Sequence, residues 1–247
     1  MERRSVMLPL LAAVLFAPAA VSAQGTGDGF LFRAPNVQIA FRVGYAGANA
    51  GSDIFDFTTD ELTVDSRDFS GGMFGAEIAV RLSERLDLVG AFSNASTNTR
   101  SEFRDWVGED DLPIEQDTRF TRRPASLSLR YFFADRGRSV SRFAWIPNRV
   151  TPYVGGGVGF MWYEFEQTGD FVDFQDLAIF NTTYSSSGTS ALTQALAGVE
   201  VSVSPRVVFN AEGRYEWASA DLGQDFVGFD DIDLSGFQVS VGLGIRF

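Results

Sequence analysis

The chain has no cysteine, no histidine and no lysine; all 20 of its cations are arginine. Without cysteine there is no disulfide and no thiolate nucleophile. Without histidine there is neither a zinc site of the Cys/His kind nor a Ser-His pair, and the absence of lysine removes Schiff-base chemistry. The arginines are outnumbered by 32 acidic residues, leaving a formal charge of -12, a balance that argues against a nucleic-acid groove with its positive stripe. Long hydrophobic runs are also missing. The apolar stretch from Val6 to Phe16 contains Pro9 and is shorter than the ~20 residues of a spanning helix. It follows Arg3 and Arg4 and leads to Val21-Ser22-Ala23, the order of a secretory signal peptide cut after Ala23. No later stretch reaches the length of a spanning helix, so the mature chain is either soluble and exported or crosses a membrane without helices.

What is present is alternation. From Val37 to Tyr45 every odd position is large and apolar and every even one polar or small, the pattern of a strand with one greasy face. The same period of two runs through Phe74 to Leu82, Leu86 to Phe92, Leu127 to Phe133, Phe209 to Trp217 and Phe237 to Phe247. Two further segments, Tyr153 to Tyr163 and Ala191 to Val203, are less clean. Placing Val154, Val158, Phe160 and Trp162 outward leaves Gly155, Gly157 and Gly159 together inside. The total is eight strands, with no helical periodicity of useful length after the signal. Strands two and three join at Ser83-Glu84 and six and seven at Ser204-Pro205. The odd connections are long: Ala48 to Phe69, Ser96 to Thr118, Glu164 to Gly188 and Ala218 to Leu234. The stretch Ala134 to Val150 is long for a turn and contains Pro147.

Opposite the greasy face lie Arg42, Glu77, Arg81, Asp87, Arg130, Glu200, Glu212, Arg214, Glu216 and Arg246, five cations and five anions. They are the solvated outside of a soluble barrel if the apolar set points inward, and a mutually paired lumen network if it faces lipid. Three features favour lipid. Outer-face aromatics gather where two interfaces lie, with Tyr45, Trp162 and Trp217 towards the long connections and Tyr131, Phe133 and Phe247 towards the short turns. The outer faces carry no charge, as expected where an Arg at mid-bilayer costs ~2–4 kcal/mol. The chain also ends on a strand whose last residue is Phe247.

On its signal peptide, the strand opening Pro152-Tyr153-Val154-Gly155-Gly156-Gly157-Val158-Gly159-Phe160 and the closing FQVSVGLGIRF, the sequence resembles the small eight-stranded outer-membrane barrels, the OmpA/OmpX/OmpW-like family. The resemblance covers essentially residues 30–247 and speaks to architecture more than activity. It implies an all-β fold, an eight-stranded antiparallel up-and-down transmembrane β-barrel over residues 36–247. A signal peptide (1–23) and a periplasmic lead-in (24–35) precede it, and its long loops are extracellular. It implies that Phe247 is an assembly signal read by the barrel-assembly machinery, that the lipid partners are outer-membrane lipid and lipopolysaccharide, and that the chain is a monomer.

The four long connections hold 23 acidic residues against Arg67, Arg100 and Arg104, while Arg33, Arg85, Arg136, Arg138, Arg142, Arg149 and Arg206 gather at or near the turn end. Acidic loops of this kind mean solubility and self-repulsion. Their aromatics, Ile54-Phe55-Asp56-Phe57, Phe171-Val172-Asp173-Phe174 and Phe226 to Asp231, fit either an adhesive surface or strands continuing above the membrane. Acidic clusters at Glu109-Asp110-Asp111 and Asp230-Asp231-Ile232-Asp233 match no EF-hand spacing, so neither metal nor cofactor is expected. The outer-membrane barrels that are enzymes use histidine, and solvated carboxylates such as Asp230 and Asp233 lack the raised pKa of an acid–base pair. The expectation is a non-enzymatic barrel with a structural or surface-interaction role and a lumen plugged by its Arg/carboxylate network. A narrow channel for small solutes or apolar molecules is the alternative.

Overall fold

A computed structural model of the chain describes residues 29–108, 111–141, 143–173 and 178–247. The expected signal peptide falls outside them, as do Glu109, Asp110, Arg142 and Phe174. The barrel strands are β1 (Val37–Ala48), β2 (Gly71–Arg81), β3 (Leu86–Val107), β4 (Pro113–Phe132), β5 (Val150–Val172), β6 (Ile179–Ser202), β7 (Val207–Trp217) and β8 (Gly236–Arg246). Each pairs antiparallel with the next, and β1 pairs with both β2 and β8, from Gln38↔Arg246 to Ala48↔Gly236, which closes the barrel. The last carbonyl joins the seam, since Phe247 O accepts from Asn36 N at 2.8 Å.

Alternation sets the faces. Phe41, Val43, Phe74, Leu127, Val158 and Leu243 stand exposed on the outer wall, while Arg42, Glu77, Ser128, Glu212 and Ser240 are buried inside. An apolar exterior of this extent around a charged interior is unstable in water and suited to a bilayer, so the wall faces lipid. Among the described residues no helix is long and apolar enough to cross a membrane; the strands do so. A stripe of glycine on β5 lets that wall coil closely. A Cβ on Gly157 would lie 2.3 Å from the Leu127 carbonyl oxygen, so any side chain there forces β5 off β4.

Two of the four long connections are largely strand. β3 and β4 stay in register from Ala95↔Arg122 to Glu102↔Glu115, and β5 and β6 from Tyr163↔Gly188 to Val172↔Ile179. Runs such as Thr97-Asn98-Thr99 and Asn181-Thr182-Thr183-Tyr184 hold a strand through branched and aromatic side chains while both faces are solvated.

The first connection corrects the expectation of no helix after the signal. Helix α1, Asp53–Glu61, buries Ile54, Phe55 and Thr58, a face of three residues too short to announce itself as a period. It packs over the barrel mouth. Phe55 meets Phe69 at 4.8 Å, Phe120 at 5.3 Å and Phe165 at 5.7 Å, ring edge to ring face. Leu62, Val64, Leu192, Phe226, Ile232 and Leu234 complete an apolar cap core, where each fully buried side chain contributes about 1.5–3 kcal/mol.

At the other end, the Ala134 to Val150 connection forms a small hairpin, Gly137–Ser141 against Ala144–Pro147. Its Trp145 is buried, and its backbone exchanges bonds of 2.7 and 2.8 Å with Leu31 of the lead-in.

Candidate functional site

The middle of the lumen is a connected set of charges from four strands. Arg42 on β1 reaches Glu77 Oε2 at 3.0 Å and Glu212 Oε1 at 2.7 Å, and its Nη2 also donates to Ser240 Oγ at 2.6 Å. Arg130 on β4 bridges the same two carboxylates, at 2.9 Å to Glu77 and 3.2 Å to Glu212. Arg214 on β7 donates to Glu212 Oε1 at 2.9 Å and to Gln194 Oε1 at 3.1 Å. Glu212 is therefore the hub, with three arginines and the Tyr153 hydroxyl, 3.0 Å away. Arg130 also lies over the Tyr153 ring, 4.5 Å from its centroid. Gly242 makes room: a Cβ there would fall 2.9 Å from Arg42 Cγ.

Glu216 stands apart from this cluster and is held by Gln238 Nε2 at 2.9 Å. Nearer the turn end Arg246 pairs with Glu200 and donates to Ser202 Oγ at 2.9 Å, and Arg136 pairs with Asp87 at 2.6 Å. Nine of the ten inward charges read from the sequence are buried. Arg81 is the correction. It is half-exposed, and its Nε donates to the Ser83 carbonyl at 3.1 Å, because it ends β2 at the turn where water competes for the guanidinium. Arg136 takes its place. The sequence groups it with the turn arginines, but the hairpin turns its side chain up into the lumen over Phe132. Arg122 and Tyr153 are further buried members that strand parity could have found: 122 is even where Leu127 points out, and Tyr153 adjoins outward Val154. Among the described residues the buried charges are then six arginines and five carboxylates.

On the outer wall Tyr45, Trp162 and Trp217 are exposed at the long-connection end and Tyr131, Phe133 and Phe247 at the turn end. Of the acidic-aromatic loop segments, Phe55 and Phe226 are cap core, while Phe171 stacks on Phe180 and meets Tyr184 edge to face between the solvated strand ends. Among the described residues no group of three acidic side chains is arranged to hold a metal. Cross-strand Glu115 bonds Arg100 and raises the guanidinium above its ordinary range, and Asp231 is raised above the usual carboxylate range chiefly by a hydrogen bond shared with Asp221.

One cleft of about 730 Å³ opens in the wall just above Trp217, between β6 and the chain that follows β7, with Tyr163, Ser190, Asp221, Asp231 and Asp233 among its lining residues. The cap core lies over the long-connection end of the barrel, the charge cluster at mid-height and Arg136 with Trp145 towards the turn end.

No protein-family model matches the chain, and no curated protein sequence does. Solved structures similar to it include Ail, the attachment invasion locus protein of Yersinia pestis, at 17% identity over 86% of this chain and 99% of that one, with a TM-score of 0.45. Neisserial surface protein A is similar at 17% identity over 89% and 98%, TM-score 0.43, and outer membrane protein W of E. coli at 14% over 87% and 100%, TM-score 0.39.

Proposed function

We propose that this eight-stranded transmembrane β-barrel works in the bacterial outer membrane as a structural and cell-surface interaction protein, its lumen plugged by the Arg/carboxylate network, rather than as an open pore. The observation that carries this reading is the Glu212 hub. Three arginines from three strands converge on one carboxylate at the level where a water path would have to pass. Such clusters persist because each charge is paired in a low dielectric. Apolar packing above and the Trp145 hairpin below close the same route twice more. The surface left for function is the acidic cap. The girdles hold the wall in lipid and lipopolysaccharide, and Phe247, exposed at the seam, serves the assembly machinery. On this reading the barrel acts as a monomer, and it needs no cofactor or catalytic centre: the chain offers no histidine, cysteine or lysine, and its Asp221–Asp231 carboxylate pair is solvated.

The test is the conductance of the refolded chain lacking residues 1–23 in a planar bilayer, beside Arg214→Ala. A silent wild type is expected, with openings in the variant as Glu212 and Gln194 lose a shared donor. Discrete openings in the wild type would instead support the narrow channel.

A further inference from the structure

A polar void lies inside the seam between β1 and β8, towards the turn end. Gln38 and Arg246 are cross-strand partners there, and on its other side Gln38 faces Ala79 of β2, whose short side chain leaves space. The hairpin connection brings the Arg136 side chain to the same spot. With Pro35, Asn36 and Val37 these residues enclose about 10 Å³, enough to seat one water-sized occupant, a size close to that of a halide ion.

The side chains around the void present donors. Gln38, Arg136 and Arg246 are all more than nine-tenths buried. Arg136 spends Nη1 on Asp87, but its Nε and Nη2 have no partner among the described residues, and neither has Gln38 Nε2. In a planar guanidinium Nε and Nη2 share one edge, the pair that grips an anion side-on. Buried donors left unpaired are costly, and the neighbouring acceptors are engaged. The Asn36 carbonyl accepts from Arg81 N and the Val37 carbonyl from Phe247 N, while Glu200 holds Arg246. A water here would bring two more donors, whereas an anion only accepts. The surrounding charge points the same way: Arg136 faces Arg81 and Arg246 as well as Asp87 and Glu200, three cations to two anions, with Arg81 half-exposed.

We infer that this void is a binding site for a small inorganic anion, chloride in particular, held by Arg136 Nε and Nη2 and by Gln38 Nε2. The ion joins the hairpin to the β1–β8 seam and stabilises the folded foot of the barrel. The inference goes beyond the closed-barrel reading and holds whether or not the barrel conducts.

The test is the urea midpoint of the refolded barrel in lipid as chloride replaces gluconate, an anion too large for the void, at constant ionic strength. The wild-type midpoint is expected to rise and then level off. At ten times its dissociation constant chloride shifts the folding equilibrium about elevenfold, a rise of about 0.7 M in urea. Gln38→Glu keeps the side chain's shape and places a carboxylate beside Arg136. It is expected to be as stable without chloride as the wild type is with it, and not to respond. Arg85→Gln, at an exposed turn arginine, responds like the wild type. Equal chloride responses of the wild type and Gln38→Glu overturn the site, and so does a wild type indifferent to chloride. Crystals of the wild type grown in bromide give a reading that needs no variant. An anomalous peak within hydrogen-bond reach of Arg136 Nε is expected, and an occupant there without anomalous signal makes it a water and overturns the inference.

Discussion

Replacing Glu212 by Gln tests the hub directly. The change keeps the side chain's shape and one acceptor oxygen but removes the charge that faces Arg42 at 2.7 Å, Arg214 at 2.9 Å and Arg130 at 3.2 Å. Among the described residues Glu77 then remains as the only carboxylate bonded to Arg42 and Arg130, while Arg214 keeps only its bond to Gln194. Removing one partner of a buried ion pair costs about 3–5 kcal/mol, mostly for the charge left behind. With three arginines affected, the upper part of that range is expected. At a slope of about 2 kcal/mol per M urea the midpoint falls by about 2 M. The assay is urea unfolding of the barrel in lipid, read by tryptophan fluorescence and approached from both the folded and unfolded sides. A second variant, Glu212→Gln with Arg214→Gln, removes one uncompensated cation and is expected to recover part of the loss, the signature of coupled neighbours. A Glu212→Gln barrel within about 1 kcal/mol of the wild type, the usual size of a solvated pair, would refute the reasoning, because it would mean that water and not carboxylate neutralises the arginines.

Two other outcomes follow from the wall and the cleft. Val241→Arg, on the outer face of β8 midway between Phe237 and Phe247, is expected to destabilise the barrel in lipid by ~2–4 kcal/mol; an unchanged urea midpoint would place that face away from the bilayer core. Because Asp231 is raised chiefly by its hydrogen bond with Asp221, the protonated pair is the form the fold favours. That contribution is complete below the ordinary carboxylate pKa and is lost as pH rises through the raised one. The loop contact therefore tightens in mild acid and the free negative charge appears above it. The urea midpoint of the wild type should rise relative to that of an Asp231→Asn variant as pH drops through that window, and an unchanged difference from pH 7 down to pH 4 would separate the loop contact from these two carboxylates.

Local pattern and global closure divide the explanation. Six of the eight barrel strands are legible from clean alternation, as Val37 to Tyr45 and Phe237 to Phe247 show, because the side-chain period of a strand depends on nothing beyond the strand itself; the segments from Tyr153 and Ala191 alternate less cleanly because small or apolar residues fall on both of their faces. The same parity separates the lipid face from the charged face and marks the girdle aromatics. It fails where the chain leaves the strands. Arg81 and Arg136 exchange places because a hairpin outside the barrel carries the second into the lumen, and α1 is hidden because its buried face is three residues long.

By itself, then, the sequence determines the strands, their two faces and the surplus of acid in the long connections, all of which follow from a repeat of two residues and a count of charges. Only the tertiary structure decides which arginine meets which carboxylate. Arg42 and Ser240 are 198 positions apart and become neighbours solely because β8 returns to pair with β1. It also decides that Phe55 and Phe226 are core instead of adhesive surface, since that depends on where the loops come to rest once the ring of strands has closed.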